Sequence, residues 1–536
     1  MTPKLTAKIF VAAGLAAFAS CSSDAEKLPD LVNASCTASR VGPPTLRRLT
    51  RAELQNTVSD IFPSISASWM GVKLGADPVS KTGFSNDGAV LLVNQQTAQE
   101  VLDTAEDVAK LVSGSSQLPS ILPCSTSKPD AACATTFVTK YGRRLFRRAL
   151  TSAEVQSYVA FHTSVAGRSD FSSGIKWTLV TMMQSPHAIY RSEIGTASED
   201  GFTLSQQEIA TNLAYTFGGS TPSTELLDKA DRGELATSAA LLSEARALLD
   251  TPRGKDVLKQ FFRAWLRYDR AANSTQPMTP GFDTIKSEMV EETSRYIDQV
   301  VFTEKAGVSR LLTAPYTYMN SDLATFYGYG TASGSYTQVQ RPPEWGVGVL
   351  AQGAILAGYS HTGSTSPTQR GLLIYEKFLC NTRPKPPANI PSISEPQPGA
   401  KTTRERYESL HAKSDSCSGC HKLWDPIGFS FEHFDAVGRY RKDEGGLPID
   451  DSGRVQTGGD RVLMEFKGIG ELATALSSHS EVSDCAGNLM ATYAYGGGGG
   501  QSCLAYDSLA GFSSGEFGFT EFMVRLASAP HFTKRK

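Results

Sequence analysis

The sequence predicts a mainly α-helical, multi-domain protein. Three observations carry that expectation: well-formed helix starts recur, apolar residues repeat at helical spacing, and alternating strand patterns are scarce. Leu49-Thr50-Arg51-Ala52-Glu53, Leu150-Thr151-Ser152-Ala153-Glu154 and Leu204-Ser205-Gln206-Gln207-Glu208 all read Leu-Ser/Thr-x-x-Glu. In such a capping box the hydroxyl accepts from the backbone N–H three residues on, and the Glu side chain reaches back to the cap's own N–H. The preceding leucine is placed to staple against Leu54, Val155 or Ile209.

Composition narrows the classes. The 536 residues suffice for several domains at about 100–200 residues each. Lys+Arg 52 against Asp+Glu 54 leaves a net charge of −2, which excludes the broad basic field that a nucleic-acid partner requires. A hydrophobic fraction of 40% allows a buried core and excludes wholesale disorder. Nine cysteines is an odd count, so at least one thiol is not in an intramolecular disulfide.

The segments follow in order. Lys4 and Lys8 precede a short apolar run at residues 9–19, too short to cross a bilayer and suited to a signal peptide over residues 1–20. The run ends in Phe18-Ala19-Ser20-Cys21, which resembles a bacterial lipobox and makes Cys21 the expected lipidated residue. The expectation is an exported lipoprotein of the outer membrane or cell envelope, periplasmic or surface-facing, held to the membrane by its lipid. Residues 21–44 read as a tether and 45–135 as an N-terminal helical region, followed by helical domains at 136–200 and 201–335. Within the last, Val257, Phe261 and Trp265 form one apolar stripe, and Ile285, Met289, Tyr296, Ile297 and Val300 another, both read as core packing. A further module spans 336–445, interrupted by a Pro-rich stretch after Cys380. Residues 446–536 form a closing domain with a five-glycine run, Gly496 to Gly500.

The chemical signature is Cys417-Ser418-Gly419-Cys420-His421. Two thiols one helical turn apart can add to the two vinyl groups of haem, and the adjacent histidine supplies the iron ligand from the same turn. A redox Cys-x-x-Cys would need a βαβ context, and a zinc site a second ligand pair; neither is present nearby. One covalent haem c is therefore expected, with Cys417 and Cys420 as anchors and His421 on the metal. Met464 is the first candidate for the sixth ligand, with Met490 and His433 as others. Arg370, Arg439 and Arg441 are candidates to pair with haem propionates, against the plainer reading of surface salt bridges.

The order of these motifs carries a resemblance. Thr365-Ser366-Pro367-Thr368-Gln369-Arg370-Gly371 comes first, then Arg404-Glu405-Arg406-Tyr407 and Cys417-x-x-Cys420-His421. Asp425-Pro426-Ile427-Gly428-Phe429 and Phe434-Asp435-Ala436-Val437-Gly438-Arg439 complete the set. The set resembles a family of exported bacterial multi-domain proteins, of planctomycete and myxobacterial type, built from successive domains of unknown function with a C-terminal haem module. Leu49 onward, Tyr141 to Thr151, Leu204 to Leu235 with Tyr318 to Gly328, and Cys485 to Cys503 resemble other modules of the same cassette. Gly218-Gly219 departs from the Trp usual there. The resemblance implies a small cytochrome-c-like module in the C-terminal third of a helical protein, and implies no substrate.

Setting aside Cys21, Cys417 and Cys420 leaves six cysteines, an even number. Cys124 and Cys133 flank a turn-prone stretch, Cys485 and Cys503 flank the glycine-rich loop, and elimination leaves Cys36 with Cys380; these three disulfides are the expected pairing. The acidic pairs Glu106-Asp107 and Glu291-Glu292 read as solvated helix faces, and no His-Glu-x-x-His, Gly-x-Ser-x-Gly or phosphate-loop pattern occurs. The expected function is electron transfer at the cell envelope with an unidentified redox partner or polymer substrate. The alternatives are a haem-dependent peroxidase or oxygenase with an open distal site, and a surface binding protein with structural haem.

Overall fold

The computed structural model describes residues 41–330, 334–385, 401–411, 415–497 and 506–536. It is mainly α: helices dominate, and the strands form only small sheets of two or three members. All three capping boxes close with both reciprocal bonds, at Thr50/Glu53, Thr151/Glu154 and Ser205/Glu208. Local sequence therefore sets where these helices begin, before any tertiary contact is considered.

Two cores organise the described chain. One gathers Val58 through Ala188, so the helices Arg51–Ile61, Gln95–Val112, Ala131–Phe146 and Phe171–Met183 share a single apolar interior. The larger gathers residues from Leu204 to Phe532, with Phe84 reaching in from the N-terminal part. The Pro252–Leu266 helix buries Phe261 and Trp265, and Phe282–Asp298 buries Ile285, Met289, Tyr296 and Ile297, the packing role read for both stripes.

Strand pairing ties distant segments together. Thr45–Arg48 runs antiparallel to Tyr190–Glu193, and the C-terminal Lys534–Arg535 adds to Gly201–Thr203. Where these sheets meet, Arg47, Arg191 and Arg535 surround the buried carboxylate of Glu193. Burial alone would raise that carboxyl; the three guanidiniums outweigh it and hold it at about 2.

Two expectations change here. Cys485 is bonded to Cys380, with an S–S distance of 2.07 Å, and not to Cys503; Cys380 is therefore not left for Cys36. The helix Ser480–Tyr495 carries Cys485 against the end of Pro367–Lys377, where its sulfur also lies 3.6 Å from the Lys377 carbonyl, so packing brings together two cysteines far apart in sequence. Cys36 and Cys503 lie outside the described residues, as does Cys21. Cys124 and Cys133 are disulfide-bonded at 2.01 Å.

Glu292 is the second correction. It lies not on a solvated face but 0% exposed, accepting from Thr317 Oγ1 at 2.6 Å and Tyr327 OH at 2.8 Å, with Arg341 at 3.8 Å. Burial raises its carboxyl pKa against those partners. Its neighbour Glu291 does face outward, paired with Arg295 at 2.8 Å.

Candidate functional site

Two helices frame the Cys-x-x-Cys-His segment. Pro367–Lys377 starts with Ser366 as its cap and proline at the first turn, and packs on the short helix Asp425–Gly428. Glycine permits that approach. A Cβ on Gly371 would collide with the Trp424 carbonyl, and one on Gly428 with the Pro367 carbonyl. The Asp425-Pro426-Ile427-Gly428 and Arg370-Gly371 motifs thus fit each other as two halves of one contact.

Cys417, Cys420 and His421 lie on the helix Asp415–His421, all half-buried. Tyr375, Leu423 and Trp424 form a small buried cluster, separate from the larger core, with Leu372 and Cys420 packed against it. Trp424 is 4% exposed and meets Tyr375 and His421 edge-on, each at 5.6 Å. Its indole N–H is buried without an acceptor among the described residues.

Asp425 organises the histidines. It is 4% exposed, and its Oδ1 accepts from Thr368 Oγ1 at 2.6 Å. Its Oδ2 accepts from His421 Nδ1 at 3.0 Å and from His411 Nδ1 at 2.5 Å. Burial pushes this carboxyl up, but the two histidine hydrogen bonds outweigh it and hold it below the usual range. An ionised carboxylate only accepts, so each imidazole presents a proton from Nδ1, which leaves Nε2 as the ring nitrogen for a metal. His411, at the end of the helix Thr403–His411, lies with its ring centre 3.5 Å from that of His421 at an interplanar angle of 33°. Among the described residues, His411, His421 and Asp425 offer metal-ligating atoms within 4.8 Å of one another, without the two cysteines.

These residues fit a haem held through Cys417, Cys420 and His421. The histidine beside the thiols has its Nδ1 occupied and its Nε2 available, the usual arrangement of a metal-bound histidine with a supporting carboxylate. The apolar cluster at Cys420 suits a macrocycle face, and the Trp424 N–H, without an acceptor among the described residues, is a donor that suits a propionate.

Other expected site residues have different work. Arg370 is 1% exposed, and its two terminal nitrogens donate to the carbonyls of Leu356, Phe431, Phe434 and Asp435 and to Ser360 Oγ. It clamps the chain around residues 431–435 from inside, which removes it as a propionate partner; burial lowers its pKa to about 10. Arg439 is an ordinary ion pair with Asp435 at 2.9 Å, its guanidinium over the Phe326 ring. Arg441 pairs with Glu432 at 2.9 Å.

The candidate sixth ligands are also engaged. Met464, on the strand Val462–Lys467, and Met490, on Ser480–Tyr495, pack into the larger core and not into the cluster at Cys420. Their thioethers serve as core filling. His433 has Nδ1 on the Arg441 carbonyl at 2.9 Å and Nε2 3.5 Å from Asp451.

Sequence reasoning missed Asp425, His411 and Trp424. A signal existed for Asp425, which follows His421 at helical i,i+4 spacing; His411 is one of eight histidines in the chain, and only folding stacks it on His421.

Four family models match the chain. PSD3, described as a protein of unknown function (DUF1587), covers residues 47–114, and PSD5 (DUF1595) covers 133–193. PSD4 (DUF1592) covers 204–329, and PSCyt3 (DUF1588), which contains the site, covers 347–444. No curated protein and no solved structure matches. The chain is thus assembled from successive PSD3, PSD5, PSD4 and PSCyt3 domains, each described only as a protein of unknown function.

Proposed function

We propose that this chain is an exported, lipid-anchored c-type haem protein that transfers electrons at the cell envelope. One observation carries the reading: His421 shares one helix with Cys417 and Cys420, and Asp425 holds its Nδ1 at 3.0 Å, leaving Nε2 as ligand atom. The name PSCyt3 for the domain that contains the site agrees with it. Bound there, haem would supply one-electron exchange at its iron. The chain's own residues fix the histidine's tautomer, surround the thiol helix with Tyr375, Leu423 and Trp424, and present the Trp424 N–H. The helical region before the site serves as the platform for a partner. With Tyr493 and Ala494 of the Ser480–Tyr495 helix it frames a cleft of about 560 Å³ lined by Glu53, Asp77, Arg191 and Asp256.

A second reading is a haem oxidoreductase with an open sixth position. It is favoured by the engagement of Met464, Met490 and His433 elsewhere. His411 does not fill the gap either, because its face contact with His421 leaves no room for an iron between the two rings.

The test is expression with a c-type haem-attachment system, followed by the reduced pyridine haemochrome spectrum. One c-type haem per chain is expected, and its absence overturns both readings. Ready carbon monoxide binding by the reduced protein would favour the oxidoreductase; refusal would favour electron transfer. No helix among the described residues is long and apolar enough to cross a membrane, so the proposed attachment rests on Cys21. A Cys21→Ala protein that stayed membrane-bound would refute it.

A further inference from the structure

Asp425 is a buried carboxylate that, among the described residues, accepts from one hydroxyl and two imidazoles. The two imidazoles compete for a single atom of it. Both Nδ1 atoms address the same oxygen, His411 at 2.5 Å and His421 at 3.0 Å, while Thr368 takes the other oxygen. Each additional donor to a carboxylate oxygen withdraws electron density from it and weakens it as acceptor for the rest. His411 is held in this competition from several sides: its ring is edge-on to Tyr407 at 5.3 Å, lies against His421, and is itself buried.

A carboxylate accepting from the far nitrogen of a metal-bound imidazole makes that imidazole a stronger donor to the metal. A stronger donor stabilises the oxidised iron and lowers its reduction potential. We propose that Asp425 and His411 are an opposed pair of positioning residues that set the donor strength of His421: Asp425 increases it, and His411 restrains it by occupying the same carboxylate oxygen. The inference rests on the haem reading given above and adds to it a built-in control of the iron's potential by a residue that does not touch the iron.

Opposed action has a distinctive signature. His411 acts only through Asp425, so its effect vanishes when the carboxylate is gone. The experiment compares Asp425→Asn, His411→Phe and the double variant, each purified with haem attached, by equilibrium redox titration of the full chain. Asp425→Asn is expected to raise the midpoint potential and His411→Phe to lower it. The double variant should match Asp425→Asn alone, a non-additive cycle. Asp425→Glu, which keeps a carboxylate, should return the potential towards the parent value and serves if Asp425→Asn folds poorly.

A His411→Phe protein with unchanged or raised potential would overturn the proposal, as would strict additivity in the cycle. The pyridine haemochrome, read on the same samples, separates the two levels of inference. Parent protein without covalent haem sinks the haem reading itself. Haem at one per chain with potentials that ignore His411 sinks only the opposed pair.

Discussion

The disulfide between Cys380 and Cys485 closes a loop with a sequence separation of 105, against 9 for Cys124–Cys133. The larger loop contains the Pro-rich stretch, the Cys-x-x-Cys-His helix, Asp425 and the strands that follow. In the chain-entropy account, closing a loop of that length costs the unfolded state about 5 kcal/mol, and the short loop about 3 kcal/mol. The double substitution Cys380→Ser/Cys485→Ser is therefore expected to lose more stability than Cys124→Ser/Cys133→Ser, by about 2 kcal/mol. Cys380 sits at a φ of +51°, a left-handed conformation that serine adopts with the same strain, so the comparison isolates the covalent link. Urea unfolding of the oxidised parent, the two double variants and the reduced parent measures it. Equal losses in the two variants would refute the loop argument. Non-reducing peptide mapping that joined Cys485 to Cys503 would refute the pairing itself.

Two further outcomes are expected. His531 is buried with Nδ1 accepting from the Gly42 N–H at 2.9 Å, and burial, then the Arg535 charge, push its pKa down to about 3. The unfolded chain protonates first, so stability is lost as pH falls below about 6.5, by about 2 kcal/mol at pH 5. His531→Asn should flatten that part of the urea-midpoint profile, and an unchanged slope would refute the assignment. Gly371→Ala places a Cβ against the Trp424 carbonyl and should separate Pro367–Lys377 from Asp425–Gly428. The expected result is a fall in melting temperature with less haem attached per chain, and parental values for both would show that the contact yields without cost.

Helix starts and the chemical signature were legible because each is written in neighbouring residues. A capping box needs only a hydroxyl and a carboxylate three positions apart, and all three closed as read. The two thiols and His421 share one turn by spacing alone. Arg370 and Glu292 were illegible for the opposite reason. Exposed and buried charges look alike in a sequence, and their burial depends on partners such as Phe431 and Phe434 for one, Thr317 and Tyr327 for the other.

By itself, then, the sequence determined a mainly helical chain, where several helices begin, and a Cys-x-x-Cys-His turn with the residue types that haem attachment needs. Those properties depend on hydrogen bonds and periodicities within a few residues. Tertiary structure alone decided that Cys485 meets Cys380, that Met464 fills a core, and that His411 comes to share the Asp425 carboxylate with His421. Each of those depends on which faces pack together, and packing is set by the fit of whole surfaces across long stretches of chain.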